Sequence, residues 1–407
     1  MITDLNLQKA IKTKRIIGHI KGDLPGPTLI FFGGIHGNEQ SGVTALEHVF
    51  KALGKGPFSC KGSVYGIRGN IPALSKGKRF VDKDLNRIWT HSRIDNINAR
   101  SKDQLSVEEK ELETIYALIS GILDNEKGPF YFIDFHTTSS KTLPFITIND
   151  ALINRRFAKL FPVPIILGIE EYLEGPLLSY INEKGYVAVG FESGQHTEEA
   201  SIKNSISFTW LTMAFSGFLN RAEVKNFKKH YKKLQKSAQN NANFYEITYR
   251  HRLSDTKDFK MMEGFRSFEE ILEGTPLAIE KDEFIKAEKD SIIFMPLYQE
   301  QGEEGFFLIR KTPIWALTLS AFLRRSNFGA LLHILPGVSW ANKQKQSLLV
   351  NTKVAHFFTK PFFHLLGYRN RVLDKTHFAM NNRELTAKNE MYRNTWWYRI
   401  TTNKSIK

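Results

Sequence analysis

A single cysteine, Cys60, stands in 407 residues, so no intramolecular disulfide can form and an oxidising compartment is not implied. Long apolar runs are missing as well: the strongest near Arg324, from Ile314 to Phe322, is too short to span a bilayer. The first residues, Met1 to Gln8, lack the basic-then-apolar pattern of a secretory signal. The expectation is a cytoplasmic protein without a transmembrane segment. No internal repeat is present, which excludes solenoid and propeller architectures. Acidic residues are the scarce charge: 42 Asp and Glu face 57 Lys and Arg, for a formal net charge of +15. The imbalance is local. Residues 341–407 hold 13 Lys and Arg against Asp374, Glu384 and Glu390, about two-thirds of the whole excess. The body is only mildly basic, so it need not bind a polyanion.

What is present is an alternation of strand-like and helix-like segments over residues 1–225. Strand patterns fall at Arg15–Ile20, Thr28–Phe32, Ser63–Arg68, Tyr131–His136, Pro144–Ile148, Ile165–Leu167 and Tyr186–Glu192. Helical spacing of apolar residues runs from Val43 to Leu53. Ser106-Val107-Glu108-Glu109 is a capping-box signature opening another helix, and Ser207 to Phe218 is a third. Such alternation predicts an α/β fold, a mixed sheet flanked by helices. Residues 226–243 are Lys-dense and then polar, a basic linker. Residues 244–340 carry short β-like runs punctuated by turns and predict a smaller β-rich second domain. Residues 341–407 form a basic, aromatic C-terminal extension that includes Phe357, Phe358, Phe362, Phe363, Trp396, Trp397 and Tyr398.

The chemistry concentrates at strand ends. Gly33-Gly34-Ile35-His36-Gly37-Asn38-Glu39-Gln40 joins an apolar strand to a helix, where α/β folds place ligands. His36 and Glu39, three apart across a turn, can converge on one cation, and an imidazole with a carboxylate suits zinc. By spacing alone a polar turn with a surface ion pair explains them equally well, and His196-Thr197-Glu198-Glu199 has the same spacing. Phe130 to Thr138 is a second apolar strand ending in polar residues. Period-2 alternation puts Asp134 and His136 on one face, and His136 is the natural third ligand. Two histidines, a glutamate and an open position make a catalytic zinc arrangement. Arg79 to Arg87 contributes two arginines, an asparagine and two aspartates. Asn86 with Arg87 suits a substrate carboxylate, and Arg79 suits an oxyanion; a solvated charged loop is the other reading. Glu192 ends an apolar strand, where a carboxylate near a metal can act as general base.

In this order, Gly-x-His-Gly-Asn-Glu, Asp-Leu-Asn-Arg, Asp-x-His-Thr-Thr and a strand-end Glu resemble the aspartoacylase/succinylglutamate desuccinylase family, a branch of the zinc carboxypeptidase fold. The resemblance covers roughly residues 15–310 and leaves out the basic extension. It implies zinc held by His36, Glu39 and His136, with Glu192 as general base and Arg79 stabilising the oxyanion. Asn86 and Arg87 would hold the substrate carboxylate, Asp84 would orient a metal-bound histidine, and the second domain would partly cover the site. Two positions depart from the family pattern. Asn182 stands where aspartoacylases carry an arginine that recognises an acidic side chain, and Phe306 or Phe307 falls near a substrate-gripping tyrosine. N-acetylaspartate is therefore disfavoured as substrate.

The expected activity is zinc-dependent amide hydrolysis, removing an acyl group from an N-acyl amino acid or similar small carboxylate-bearing amide. A metallocarboxypeptidase acting on short peptides is the enzymatic alternative. From another class, the basic extension would dock the protein on nucleic acid, a membrane or a partner. Direct nucleic-acid binding is not expected, since no recognition motif accompanies the charge.

Overall fold

The computed structural model describes residues 15–253, 258–326, 332–341, 347–351, 365–372 and 377–403. Phe357, Phe358, Phe362 and Phe363, named above, lie outside them. In chain order the first region comprises β1 (Ile16–Lys21), β2 (Leu24–Gly33), α1 (Ser41–Leu53), β3 (Lys61–Arg68), α2 (Ile71–Lys76), α3 (His91–Ala99), α4 (Val107–Asn125), β4 (Phe130–Thr138), β5 (Phe145–Ile148), α5 (Leu152–Ala158), β6 (Ile165–Leu167), α6 (Leu177–Glu183), β7 (Val187–Gln195) and α7 (Glu199–Ser216). Then come α8 (Phe227–Ser237), β8 (Phe244–Arg252), β9 (Phe259–Met261), β10 (Glu269–Ile271), β11 (Pro276–Glu280), β12 (Glu283–Lys286), β13 (Ser291–Phe294), β14 (Glu304–Lys311) and α9 (Ile314–Arg325). The chain continues through β15 (Val338–Trp340), β16 (Ser347–Asn351), β17 (Tyr368–Val372) and β18 (His377–Asn382), and ends in α10 (Arg383–Thr386), α11 (Asn389–Tyr392) and α12 (Trp396–Asn403).

A mixed sheet ordered β1-β3-β2-β4-β7-β5-β6-β8-β14-β13-β10 organises the molecule. Its centre, β3-β2-β4-β7, is parallel. Strands buried on both faces need apolar side chains at every position, and β2 and β4 supply them. Leu29, Phe31, Tyr131, Ile133 and Phe135 face one core layer, shared with α1, α5 and α7. Ile30, Phe32, Phe130 and Phe132 face the other, shared with α3, α4 and α6. Helices therefore cover both faces, as the alternation predicts.

The β-rich region is not set apart from this sheet. β6 pairs in parallel with β8, and β8, β14, β13 and β10 extend the same sheet antiparallel. β12, β11 and β9 form a small sheet of their own. The Lys-rich stretch expected as a linker contains α8, whose Phe227 and Leu234 are buried in the first core layer. The C-terminal residues also enter the body. Tyr392 and Trp397 are fully buried there, and the Trp397 indole donates to the Tyr131 hydroxyl at 3.1 Å. A further antiparallel sheet, β15-β16-β18-β17, surrounds a core of Leu348, Val350, Tyr368 and Met380. No described helix is long and apolar enough to cross a membrane.

Candidate active site

β2 ends at Gly33, and the turn that follows lets its backbone pass close to other chain segments. Gly34 has φ +75°, a left-handed conformation that glycine adopts without cost. A Cβ at Gly37 would lie 2.1 Å from the Ala73 carbonyl carbon, so no larger residue fits there. This turn brings His36 and Glu39 inward, both nearly fully buried. His136 arrives from the end of β4, the adjacent parallel strand. Glu192 arrives from β7, where the register places it directly beside His136.

The three expected ligands converge. One donor atom from each of His36, Glu39 and His136 lies within 4.8 Å of the others, the one such His/Cys/Asp/Glu group among the described residues. His36 Nδ1 is 2.8 Å from Glu39 Oε1, and His136 Nδ1 is 3.0 Å from Glu39 Oε2. Each imidazole's other nitrogen meets an aspartate: His36 Nε2 is 3.1 Å from Asp84 Oδ1, and His136 Nε2 is 2.8 Å from Asp134 Oδ2. Burial disfavours charge on Glu39, yet the two histidines hold its carboxyl well below the usual range. Burial likewise opposes protonation of His136, but Asp134 and Glu39 raise it well above an ordinary histidine.

This donor set fits zinc. Imidazole nitrogens and a carboxylate oxygen are its common ligands in catalytic sites, and a carboxylate behind each histidine fixes tautomer and ring plane. The charge balance agrees. Glu39 and Asp84 are buried against one guanidinium, Arg79, and Asp134 is buried behind His136, so carboxylates crowd the site and a cation would offset them.

Arg79 is anchored on Asp84 at 2.9 Å and lies 3.5 Å from Glu39. Burial works against its charge, but Asp84 and Glu39 outweigh that and raise its pKa. Glu192 is different from the other carboxylates. Its Oε2 is buried with no hydrogen-bond partner. Burial, with Glu39 adding repulsion against the pull of His136 and Arg79, pushes its carboxyl up to about 8. Asn86 is fixed through Oδ1, which accepts from the Leu177 amide at 2.9 Å. Arg87 pairs with Glu304 of β14 at 3.0 Å, and its Nε is buried without a partner. Asn182 accepts from Asn154 Nδ2 at 2.8 Å and lines the cavity. Phe307 also lines the cavity, whereas Phe306 stacks on His251.

Sequence reasoning missed three features. Asp134 was placed on the His136 face but given no role. His196, which by sequence only repeats the spacing of His36 and Glu39, lines the cavity with Nδ1 2.6 Å from the Thr137 hydroxyl and Nε2 3.0 Å from Gln299 Oε1. Glu304 sits 217 residues from the arginine it pairs with, a separation at which local pattern carries no signal. The roof of the cavity includes Met295, Pro296, Leu297, Gln299 and Glu304. It is tied to the floor by Asn38 Nδ2 donating to Gln299 at 3.0 Å and the Arg79 amide donating to Gln301 at 3.2 Å.

Residues 25–204 match the succinylglutamate desuccinylase/aspartoacylase catalytic domain. That stretch carries β2, β4 and β7 and every expected site residue. The likeness to the succinylglutamate desuccinylase/aspartoacylase family rests on this stretch. A succinylglutamate desuccinylase from Pseudoalteromonas atlantica is 30% identical over 112 residues, 27% of this chain and 31% of that protein. The chain thus spans about a third of the length of this curated relative. Among solved structures, a succinylglutamate desuccinylase/aspartoacylase from Rhodobacter sphaeroides superimposes with a TM-score of 0.54 at 15% identity, covering 72% of this chain and 88% of that one. The ectoine utilization protein EutE from Ruegeria pomeroyi, in a product-bound structure, gives 0.51 at 16% identity with the same coverage. At such identities these structures speak for the family fold alone.

Proposed function

We propose that this protein is a zinc-dependent amidohydrolase. It removes an acyl group from an N-acyl amino acid or a similar small carboxylate-bearing amide. The observation that carries the reading is the convergence of His36, Glu39 and His136 beside a buried glutamate with one unengaged oxygen.

Zinc held by His36, Glu39 and His136 supplies Lewis acidity toward the amide carbonyl and the attacking water. Asp84 and Asp134 accept the Nε2 protons of the two imidazoles, so the Nδ1 lone pairs face the site. Glu192 accepts a proton from water as the oxygen–carbon bond forms. It then delivers that proton to the amide nitrogen as the carbon–nitrogen bond breaks, and acid and amine leave. Desolvation suits Glu192 to both transfers, because it lowers the cost of the protonated form. Arg79 offers its guanidinium to the developing oxyanion. Asn86 and Arg87 hold the substrate carboxylate, with the unpartnered Arg87 Nε as a free donor.

A panel of N-acyl amino acids and dipeptides, assayed with zinc-loaded protein, tests the substrate class. Turnover confined to the acyl amino acids supports the reading, and turnover confined to dipeptides replaces it with a carboxypeptidase. Metal analysis tests the centre. Wild type should hold one zinc per chain and His136→Ala should lose most of it, while His196→Ala should keep it.

A further inference from the structure

The net positive charge has a structural counterpart away from the active site. Three helices, α8, α9 and α12, pack on the same core layer through Phe227 and Leu234, through Leu317, and through Trp397. α7 joins α8 to α12, and α5 joins α12 to α9, where Arg155 Nη1 donates to Ser320 Oγ at 3.3 Å. Phe215 of α7 touches both Phe227 of α8 and Trp396 of α12, and the Arg156 guanidinium lies 4.4 Å from the Tyr398 ring centroid. None of the three helices contains an acidic residue. Lys228, Lys229, Lys232 and Lys236 of α8, Arg325 of α9 and Arg399 of α12 are all exposed.

The outer surface of α9 is apolar. Ile314 is 81% exposed, Trp315 69%, Leu319 40% and Phe322 66%, and on α12 Trp396 and Ile400 are 43% and 47% exposed. Single exposed apolar residues need no explanation, but a group of large ones on one helix marks a contact surface. Ile314, Trp315, Leu319 and Phe322 recur at helical spacing, so they share one stripe of α9.

We infer that α9, with α8 and α12 packed on the same core layer, docks this protein on an anionic lipid surface. An interfacial helix buries an apolar stripe at the boundary of headgroups and acyl chains while nearby cations meet anionic lipid. Tryptophan and phenylalanine suit that depth. Charge decides between occupants. A second copy of the chain, related by a two-fold axis, sets cationic helices against each other. Nucleic acid matches the charge but leaves Ile314, Leu319 and Ile400 without a partner, because phosphate backbone binding uses cations and ring stacking. An anionic membrane satisfies both the charge and the aliphatic surface.

The test is flotation of the full chain with vesicles of phosphatidylcholine alone or with about one-third phosphatidylserine. Wild type should float with the anionic vesicles only, and high salt should release it. Changing Lys228, Lys229, Lys232 and Lys236 to Gln should weaken partition by about fivefold per lysine. Trp315→Ser with Phe322→Ser should weaken it on the order of tenfold or more, with the circular dichroism and amide-hydrolysing activity of wild type in both variants. Retention that survives either variant, or no retention above the neutral vesicles, overturns the inference. So does a dimer that disperses in the Trp315→Ser/Phe322→Ser protein, or duplex DNA binding in place of vesicle binding.

Discussion

Each imidazole of the candidate centre is held from behind, and the two aspartates that do so are not equivalent. Asp134 meets His136 alone, whereas Asp84 meets His36 and also anchors Arg79. Asp134→Asn therefore isolates the orienting contact. It should weaken zinc affinity about 10–100-fold in a chelator competition while leaving all three ligands in place; unchanged affinity would show that the hydrogen bond does not orient the ligand. The two arginines separate in the same way. Arg87 lines the cavity wall and pairs with Glu304, so Arg87→Ala should raise KM more than it lowers kcat. Arg79 lies beside Glu39 with a partner that exists only late in the reaction, so Arg79→Ala should mainly lower kcat. Steady-state kinetics on the best substrate of the panel decides this, and the reverse pattern would exchange the two roles.

Among elements, those legible in advance were the ones whose apolar pattern is complete within a few residues. Thr28–Phe32 and Tyr131–His136 lie inside β2 and β4, and Ile165–Leu167 coincides with β6. The α7 helix begins at Glu199, eight residues before the expected Ser207, because its first half buries Ser201, Asn204 and Ser205 and shows no apolar face to read. The convergence of His36, Glu39 and His136 was legible for a related reason: His136 ends a strand and the other two follow one, and strands could be found. What pairs across long separations was not. Residues 341–407 matched no module, yet their described part supplies core aromatics and, through Glu384, one member of a buried ion-pair network. Arg324 and Arg155 both reach Asp150, which lies between β5 and α5, and Arg324 also pairs with Glu384 at 3.1 Å. Burial alone would raise the Asp150 carboxyl; the two arginines overcome it and hold it well below the usual range. A depressed carboxylate stabilises the fold above its unfolded pKa, about 3.9, and that contribution is lost as pH falls below it. Asp150→Asn should melt several degrees lower than wild type at pH 7, and the gap should narrow progressively below about pH 4. A gap independent of pH down to pH 2 would mean that the network contributes through packing rather than charge.

Across the whole molecule, one continuous sheet explains why the second region reaches the candidate active site. β8 pairs with β6 and β14 with β8, so Glu304 at the start of β14 and the 295–303 segment before it are carried over the ends of β4 and β7. The central claim is that a buried glutamate beside a zinc centre moves the proton in amide hydrolysis. It is tested most directly by zinc content and kcat measured together on Glu192→Gln, which keeps the side chain's size but removes its basicity. The account predicts near-stoichiometric zinc with kcat lower by roughly 10²–10⁴-fold. Full activity with zinc retained would place the base elsewhere, and loss of zinc would make Glu192 a ligand; either result would contradict the account.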